Sequence, residues 1–561
     1  MRRNFFEKKV MTLILTVAMS MSVLSGCGGA NDGAFLKTEN GTVLEAEDIT
    51  TNEVADDVVE DCGVYEGDKE AEITNGVFES ATSDCVIEPG EEPGVNNGET
   101  YEEVNENAFV AVEKEPLSTF AADVDTASYT NIRRMINDGY RQEEIPKGSV
   151  RIEEMINYFD YDIPAPKDGD PFCVTAEMNS CPWNEDHKLL MVGMRTEEID
   201  LSQAPASNLV FLIDVSGSMY DDDKLPLLQQ SFCMLAENLT EKDRISIVTY
   251  AGEDRIVLEG AKGNEYKKIS EALNSLEASG STNGSAGIQT AYELAEENYI
   301  KDGNNRVILA TDGDLNVGVT TQNGLEELIT EKKESGVFLS VLGFGEGNIN
   351  DVNMETLADK GNGNYAYIDS SFEANRVLVQ QLGSTLFTVA KDVKLQVEFN
   401  PKRVESYRLI GYENRVMAAK DFNDDTKDGG EIGAGHCVVA LYEVVPAGSG
   451  SSQLRYQEEE EQTKQESKYA DEYCAISIRY KEPDGNESKL LTYPVNLKVE
   501  SATPSDDFLF AAYVAETGMI LKDSDYVEKM KLTDVYEDLK DLQIQDENRK
   551  EFVQLLEELI K

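Results

Sequence analysis

A short apolar run that ends in three oxygen-bearing side chains constrains the fold of this chain more than any other stretch. Residues 209–213 are continuously apolar, which predicts a strand buried on both faces. Asp214, Ser216 and Ser218 follow at alternate positions. Because α/β folds place their sites at the carboxyl ends of buried parallel strands, these oxygens suit a hard divalent cation such as Mg²⁺. The alternative is a Ser/Gly-rich turn that caps the next helix.

Two downstream segments favour the metal site over the simple turn. Residues 280–284, Gly-Ser-Thr-Asn-Gly, precede a helical pattern and supply Thr282. Residues 306–313 form a second apolar strand pattern that ends in Asp312. The three segments occur in this order within one alternation of strand and helix patterns.

Together the three segments resemble the von Willebrand factor type A domain and its metal-ion-dependent adhesion site. That site reads Asp-x-Ser-x-Ser, then Thr, then Asp, and all five positions are filled here. The resemblance implies that the two serines and the threonine contact the metal, whereas the two aspartates act largely through water. Carried over residue by residue, the implied metal site consists of Ser216, Ser218, Thr282, Asp214 and Asp312.

The pattern around this site predicts an α/β fold with a doubly wound, mainly parallel sheet. We assign residues 201–384 to this domain. The predicted strands are Leu209–Ile213, Arg244–Tyr250, Val307–Ala310, Val337–Phe344 and Tyr365–Ile368, and the predicted helices are Leu225–Leu239, Tyr266–Leu276, Ala286–Tyr299, Leu325–Glu334 and Phe372–Leu382.

The segments on either side of the α/β domain predict an antiparallel β domain with helices. Strand patterns at 172–177 and 188–194 need partners, because two isolated strands are marginally stable. Alternating patterns after residue 390 need partners too. We therefore expect one β domain, in which the type A domain is inserted or which flanks it. The assigned segments are an N-terminal helical and β module (117–200), a β module (385–505) with a disordered loop (448–471), and C-terminal helices (506–561).

Two stretches in the N-terminal module strengthen the family resemblance. Residues 118–129 and 181–187 are similar to a bacterial subfamily of type A lipoproteins, in which family-specific modules precede and follow the type A domain. Asp123 and Asp125 lie where helix caps belong, and we interpret them as caps.

The first 116 residues are expected to contribute targeting and a tether. Basic residues precede an apolar run and small residues, which is typical of a secretory signal peptide over residues 1–26. Its end resembles a bacterial lipobox, so Cys27 would carry a lipid anchor; ordinary secretion is the alternative. Residues 27–116 are acidic and without clear periodicity, which predicts a disordered tether. The protein would then sit on the cell membrane, facing outside the cytoplasm.

Charge and histidine content exclude two classes of function. The formal net charge is -58, with 108 acidic and 50 basic residues. Nucleic-acid binding is therefore disfavoured, because it requires a basic surface. The chain has two histidines, His187 and His436, and neither has the sequence neighbours of a zinc site or a catalytic triad. We expect a protein that is not an enzyme.

The resemblance implies a surface-anchored binding or adhesion protein. A Mg²⁺ or Mn²⁺ ion held by neutral hydroxyls keeps much of its charge, and its open coordination position would accept an Asp or Glu of a protein partner. The alternative is a structural metal in an envelope scaffold or ancillary assembly subunit. Chelatases and calcium-channel subunits also carry type A domains, but a lipobox argues against the first.

A second cation site is a further expectation from the loop that follows the serines. In integrin β subunits, two aspartates at a similar offset from Asp-x-Ser-x-Ser help to bind an adjacent cation. Asp221 and Asp222 match that offset, so Ca²⁺ is the expected ion. The alternative is an acidic, solvated loop.

Overall fold

Three sheets and a set of helices make up the part of the chain that the structure describes. The computed structural model describes residues 98–561 except 168, 281–283, 314–321, 334, 449–468, 484 and 502. The predicted signal peptide, Cys27, Thr282 and residues 449–468 of the predicted loop lie outside the described residues. The described residues fall within one compact unit.

The strands are numbered in chain order. They are β1 (Val110–Ala111), β2 (Leu117–Ala121), β3 (Phe172–Cys181), β4 (Asn184–Thr196), β5 (Ser207–Asp214), β6 (Arg244–Tyr250), β7 (Asp254–Lys262), β8 (Asn304–Thr311), β9 (Phe338–Phe344), β10 (Tyr365–Ile368), β11 (Thr388–Phe399), β12 (Val404–Ile410), β13 (Gly430–Gly433), β14 (Cys437–Pro446), β15 (Glu472–Lys481) and β16 (Ser488–Asn496).

The α-helices are numbered in the same way. They are α1 (Ala127–Asn137), α2 (Ile152–Asn157), α3 (Leu225–Ala236), α4 (Tyr266–Asn274), α5 (Gly284–Glu297), α6 (Gln322–Lys333), α7 (Asp351–Lys360), α8 (Ser371–Asn375), α9 (Leu382–Leu386), α10 (Asp506–Leu521), α11 (Leu532–Leu539) and α12 (Glu547–Leu559).

The α/β domain contains a six-stranded sheet in the order β10-β9-β8-β5-β6-β7. All neighbours pair in parallel except β6 and β7, which are antiparallel. The apolar residues of β5 point alternately into two cores, one on each face of the sheet. The predicted doubly wound, mainly parallel α/β fold is therefore confirmed. The sequence analysis missed β7, an edge strand whose side chains are largely exposed or half-buried and therefore lack a continuous apolar run.

The predicted helix Phe372–Leu382 is wrong as a single element. The structure divides this region into α8, a π-helical turn at Arg376–Gln380, and α9. The buried Arg376 guanidinium donates to Glu373, Gln381 and Thr126. These tertiary contacts accompany the change in helical pitch, which local periodicity does not encode.

The antiparallel β domain is a sandwich built from both sides of the α/β domain. One sheet has the order β1-β12-β14-β4-β3; the second has the order β13-β11-β15-β16, with β2 also paired to β11. Val192 in β4 pairs with Ala440 in β14. Phe172 and Tyr480 stack edge to face between the two sheets, with ring centroids 5.1 Å apart. These pairings confirm the expectation of one β domain into which the type A domain is inserted.

Residues 98–116 are folded, which corrects the expectation that disorder extends to residue 116. The Thr100 amide donates to the Ile349 carbonyl at 2.8 Å, and β1 pairs with β12. Val112 is 1% exposed and contributes to the core of the sandwich. The apolar residues of this segment are too few for a periodic signal, but the finished sandwich provides a surface that buries them.

The C-terminal helices share a core with the N-terminal helices. Helix α10 is apolar around most of its circumference and is almost entirely buried, as expected for a helix with neighbours on several sides. Phe510 in α10 packs against Phe159 and Phe552, with ring centroids 4.9 and 5.8 Å away. Phe552, Leu555 and Leu556 of α12, which lie at helical spacing, are buried.

The interpretation of Asp123 and Asp125 as helix caps is wrong. Both carboxylates pair with Arg415, at 3.2 and 3.5 Å, and Asp125 also accepts from the Tyr365 amide. Arg415 further contacts Glu355 and Asp359 of α7 at 3.4 and 2.5 Å. The guanidinium therefore joins the N-terminal segment, the β domain and the α/β domain in one buried cluster of charges.

Carboxyl groups outnumber arginines in this region, and a pH-dependent stability follows. Burial, together with the charges of Glu413 and Asp123, raises the pKa of Glu153 to about 8. Because Glu153 has a higher pKa in the folded state than in the unfolded state, the folded state is more stable at low pH, where this carboxyl group is protonated. That stability is lost as the pH rises from about 4.5 through about 8. We expect Glu153→Gln to raise the free energy of unfolding by about 1–2 kcal/mol at pH 8.5 and by much less at pH 5.5.

Denaturant unfolding of the two proteins at both pH values measures this difference. Glu143→Gln is the control, because the Glu143 side chain is 68% exposed. A Glu153→Gln effect that is equal at pH 5.5 and 8.5 would contradict the prediction.

Candidate metal centre

The carboxyl end of β5 brings Asp214, Ser216 and Ser218 together. Asp214 is completely buried. Its Oδ1 accepts from the Ser216 amide at 2.8 Å, and its Oδ2 accepts from the Thr311 hydroxyl at 3.3 Å. The hydroxyl oxygens of Ser216 and Ser218 lie 2.9 Å apart. Burial raises the pKa of Asp214 to about 6, because the charged form is poorly solvated there.

Asp312 lies at the same edge of the sheet, because it directly follows β8, the parallel neighbour of β5. Its Oδ2 accepts from the Lys224 ammonium at 3.0 Å and from the Asn348 amide at 3.3 Å. Its Oδ1 is buried and has no hydrogen-bond partner among the residues that the structure describes. An unsatisfied buried carboxylate oxygen is costly and calls for a donor or a cation.

Thr282 lies outside the described residues, but the chain reaches the site just before it. The Gly217 amide donates to the Gly280 carbonyl at 3.1 Å, and the Ser279 amide donates to the Val215 carbonyl at 2.7 Å. These bonds hold residues 279–280 against the loop that carries the two serines.

The donor set fits a hard divalent cation. It combines a buried carboxylate with neutral hydrogen-bond donors, two adjacent hydroxyls, and one unsatisfied carboxylate oxygen, and oxygen ligands of this kind suit Mg²⁺ and Mn²⁺. Within the described ranges, no group of three or more His, Cys, Asp or Glu side chains is placed to hold a metal ion.

Asp221 and Asp222 lie in an exposed loop that leads from the serines to α3. The neighbouring Asp223 carboxylate accepts from the Glu346 amide at 3.2 Å. The second cation site at Asp221 and Asp222 stays a prediction.

Three residues near the site were missed by the sequence analysis: Lys224, Asn348 and Tyr220. Lys224 is buried although three aspartates precede it, of which Asp221 and Asp222 are exposed. The signal for it in the sequence was its position as a single lysine directly before an apolar helix. Asn348 comes from the loop after β9, where no sequence pattern marks it. Tyr220 follows Ser218 by two residues and is 79% exposed, and a large exposed aromatic ring is a feature of binding surfaces.

Comparison with known proteins identifies the family. The model of the von Willebrand factor type A domain matches residues 208–382, and a model described as von Willebrand factor matches residues 95–191. A third model, uncharacterized protein YfbK, C-terminal, matches residues 384–561. The uncharacterized protein YfbK of Escherichia coli (strain K12) is 42% identical over 469 residues, which cover 82% of this chain and 80% of that protein. The chain belongs to the YfbK family of bacterial type A domain proteins.

Two further proteins match this chain at lower sequence identity. The inter-alpha-trypsin inhibitor heavy chain H3 of Homo sapiens is 29% identical over 164 residues, which cover 28% of this chain and 18% of that protein. The crystal structure of the ArnB paralog VWA2 from Sulfolobus acidocaldarius is 18% identical, covers 70% of this chain and 97% of that chain, and has a TM-score of 0.36.

Membership of this family has three general consequences. Type A domains typically mediate protein–protein interaction or adhesion, they commonly bind a divalent metal, and they are typically not enzymatic.

Among the helices of the described residues, none has the length and apolar composition to cross a membrane. All five cysteines in the described ranges, at 173, 181, 233, 437 and 474, carry free thiols.

Proposed function

We propose that the type A domain captures an Asp or Glu side chain of a protein partner through a bound Mg²⁺ or Mn²⁺. Ser216, Ser218 and Thr282 would contact the ion, and Asp214 and Asp312 would hold its water shell. The observation that carries the proposal is the buried Asp214 carboxylate, which is hydrogen-bonded to neutral donors at the carboxyl end of β5. A divalent cation offsets the cost of this burial.

The chemistry of the site favours an acidic ligand. Hydroxyl ligands are neutral, so they leave much of the cation's charge available to an incoming group. A carboxylate from a partner satisfies both this charge and an open position in an octahedral oxygen shell. Tyr220 follows Ser218 by two residues and is 79% exposed, so its ring would add apolar contact area near the ionic contact.

Partner capture with and without chelator tests the proposal. The mature protein, purified with its native modules, is immobilised and exposed to solubilised surface proteins in EDTA, then in Mg²⁺, then in Mn²⁺. We expect partners to be retained in Mg²⁺ or Mn²⁺ and released by EDTA. If partners are retained equally in EDTA and in Mg²⁺, any bound metal has a structural role. The binding surface would then have to lie on the β domain.

Surface anchoring through Cys27 is part of the same proposal. Its support is the sequence pattern of a charged segment, an apolar run and a cysteine followed by two glycines. A lipid group with two acyl chains is sufficient for stable anchoring on the outer side of the cytoplasmic membrane or of a second membrane. We expect mass spectrometry of the mature protein to show diacylglycerol on an N-terminal Cys27, and Cys27→Ala to lose membrane association. A mature chain that begins elsewhere without lipid would contradict this.

A further inference from the structure

The buried lysine at the proposed metal centre is held in place by its surroundings. Lys224 is 4% exposed, and its amide donates to the Asp221 carbonyl at 3.0 Å. Its side chain crosses Gly345, which has φ +70°, and a Cβ atom at that position would collide with Cγ, Cδ and Cε of the lysine. Gly345 therefore leaves a channel for the lysine side chain, which ends at Asp312.

The lysine contacts one oxygen of Asp312 and leaves the other free. The ammonium and the Asn348 amide both donate to Oδ2, at 3.0 and 3.3 Å. The second oxygen, Oδ1, is buried without a partner in the described part of the chain. The contacts to Oδ2 thus fix the rotation of the carboxylate, and Oδ1 is the oxygen that is available to a cation or its water.

The charge of Lys224 changes the net charge of the proposed metal centre. Asp214 and Asp312 supply two negative charges, and Lys224 supplies one positive charge in the same buried region. A divalent ion would neutralise two isolated carboxylates. With the lysine present, the loaded centre instead carries a net charge of about +1 in a poorly solvated environment, where charges interact strongly.

We propose that Lys224 weakens binding of the divalent cation and strengthens the hold of the loaded site on an acidic ligand. The inference rests on the proposed function and extends it, because it identifies one residue that lowers the affinity for the metal and raises the affinity for the acidic ligand. A site of this kind loads weakly with metal alone, and a carboxylate is needed to complete it.

Binding of Mn²⁺ alone tests the first half of the inference. Lys224→Met removes the ammonium and keeps most of the side-chain volume, whereas Lys224→Gln keeps a donor for Asp312 without the charge. We expect both variants of the mature chain to bind Mn²⁺ at least about tenfold more tightly than the wild type in calorimetry, because repulsion of the ion by the ammonium is lost. The matched control is Lys394→Met, which removes another buried lysine, 3.2 Å from Asp392 in the β domain, and should leave the Mn²⁺ affinity unchanged.

Acetate tests the second half as a simple carboxylate probe. With the site saturated by Mn²⁺, displacement of metal-bound water by acetate is followed by water-proton relaxation. We expect the acetate Kd to rise several-fold in Lys224→Gln.

The outcomes separate the inference from the proposed function. Mn²⁺ binding by the wild type with an unchanged or weaker affinity in both Lys224 variants overturns the inference alone, as does an unchanged acetate Kd. A wild-type protein that binds no Mn²⁺ either alone or in the presence of acetate overturns the proposed function and the inference with it. If Lys224→Met does not fold, as judged by circular dichroism, Lys224→Gln decides the result.

Discussion

Asp214→Ala is expected to reduce the affinity for Mg²⁺ or Mn²⁺ by about 100-fold or more and to abolish cation-dependent capture of a partner. The carboxylate is completely buried at the end of β5, where it would balance the charge of the ion and position its water shell. The change also removes the acceptor of the Ser216 amide and of the Thr311 hydroxyl, so circular dichroism of the variant must match that of the wild type before the affinities are compared.

Calorimetry with Mn²⁺ and partner capture in EDTA and in Mg²⁺ measure both effects. Asp221→Ala is the matched control, because this aspartate lies in the same loop but is exposed. It should retain binding at the first site, and any loss of a second, Ca²⁺-binding event would reveal the adjacent site. Wild-type capture by Asp214→Ala would place the binding surface away from the carboxyl end of β5.

Arg415→Met is expected to lower the free energy of unfolding at pH 7 by about 3–5 kcal/mol, because removal of one partner leaves buried charges uncompensated. The guanidinium is 11% exposed and contacts the carboxylates of Asp123, Asp125, Glu355 and Asp359. Without it, four carboxylates from two parts of the chain, the segment 123–125 and helix α7, would face one another.

Urea unfolding at pH 7 and at pH 5.5 measures the loss and its cause. The loss should be smaller at pH 5.5, because carboxyls that have lost their arginine can take up protons. Arg141→Met is the control: the Arg141 side chain is 69% exposed and pairs with Glu144, so its removal should leave the stability nearly unchanged, because exposed ion pairs contribute little. A loss for Arg415→Met of similar size to that of the control would show that the cluster does not hold the domains together.

The sequence by itself determined the α/β class of the domain and its five buried strands, but not the edge strand β7, helix α7 or the division of the predicted helix Phe372–Leu382. Strands buried on both faces, such as β5 and β8, carry continuous apolar runs that no turn or exposed helix would show. The residues proposed for the metal follow these runs directly, so their position at the end of a strand is a local property. Asp214 and Asp312 could be predicted to meet because parallel neighbours end at the same edge of a sheet.

The sequence also predicted one β domain, but it did not predict every strand that this domain contains. Strand patterns before and after the inserted domain needed partners, and β4 and β14 supply them to each other. The short strand β1 has only two residues, and a segment of that length carries no period. Its order depends on the sandwich core that buries Val112.

Only the tertiary structure decided the charged contacts. Asp123 and Asp125 have the local spacing of helix caps, yet Arg415, about 290 residues away in sequence, takes their carboxylates. From the sequence, Lys224 belongs to a solvated acidic loop. In the structure its side chain passes over Gly345 and its ammonium contacts Asp312. The spacing of apolar residues in a segment predicts which of its side chains face the core and which face water. It does not predict which distant charged residue will pair with a buried charge. The packing of whole domains sets the pairing of Asp123 and Asp125 with Arg415. The pairing of Lys224 with Asp312 is set within the α/β domain, and it determines the charge of the candidate metal centre.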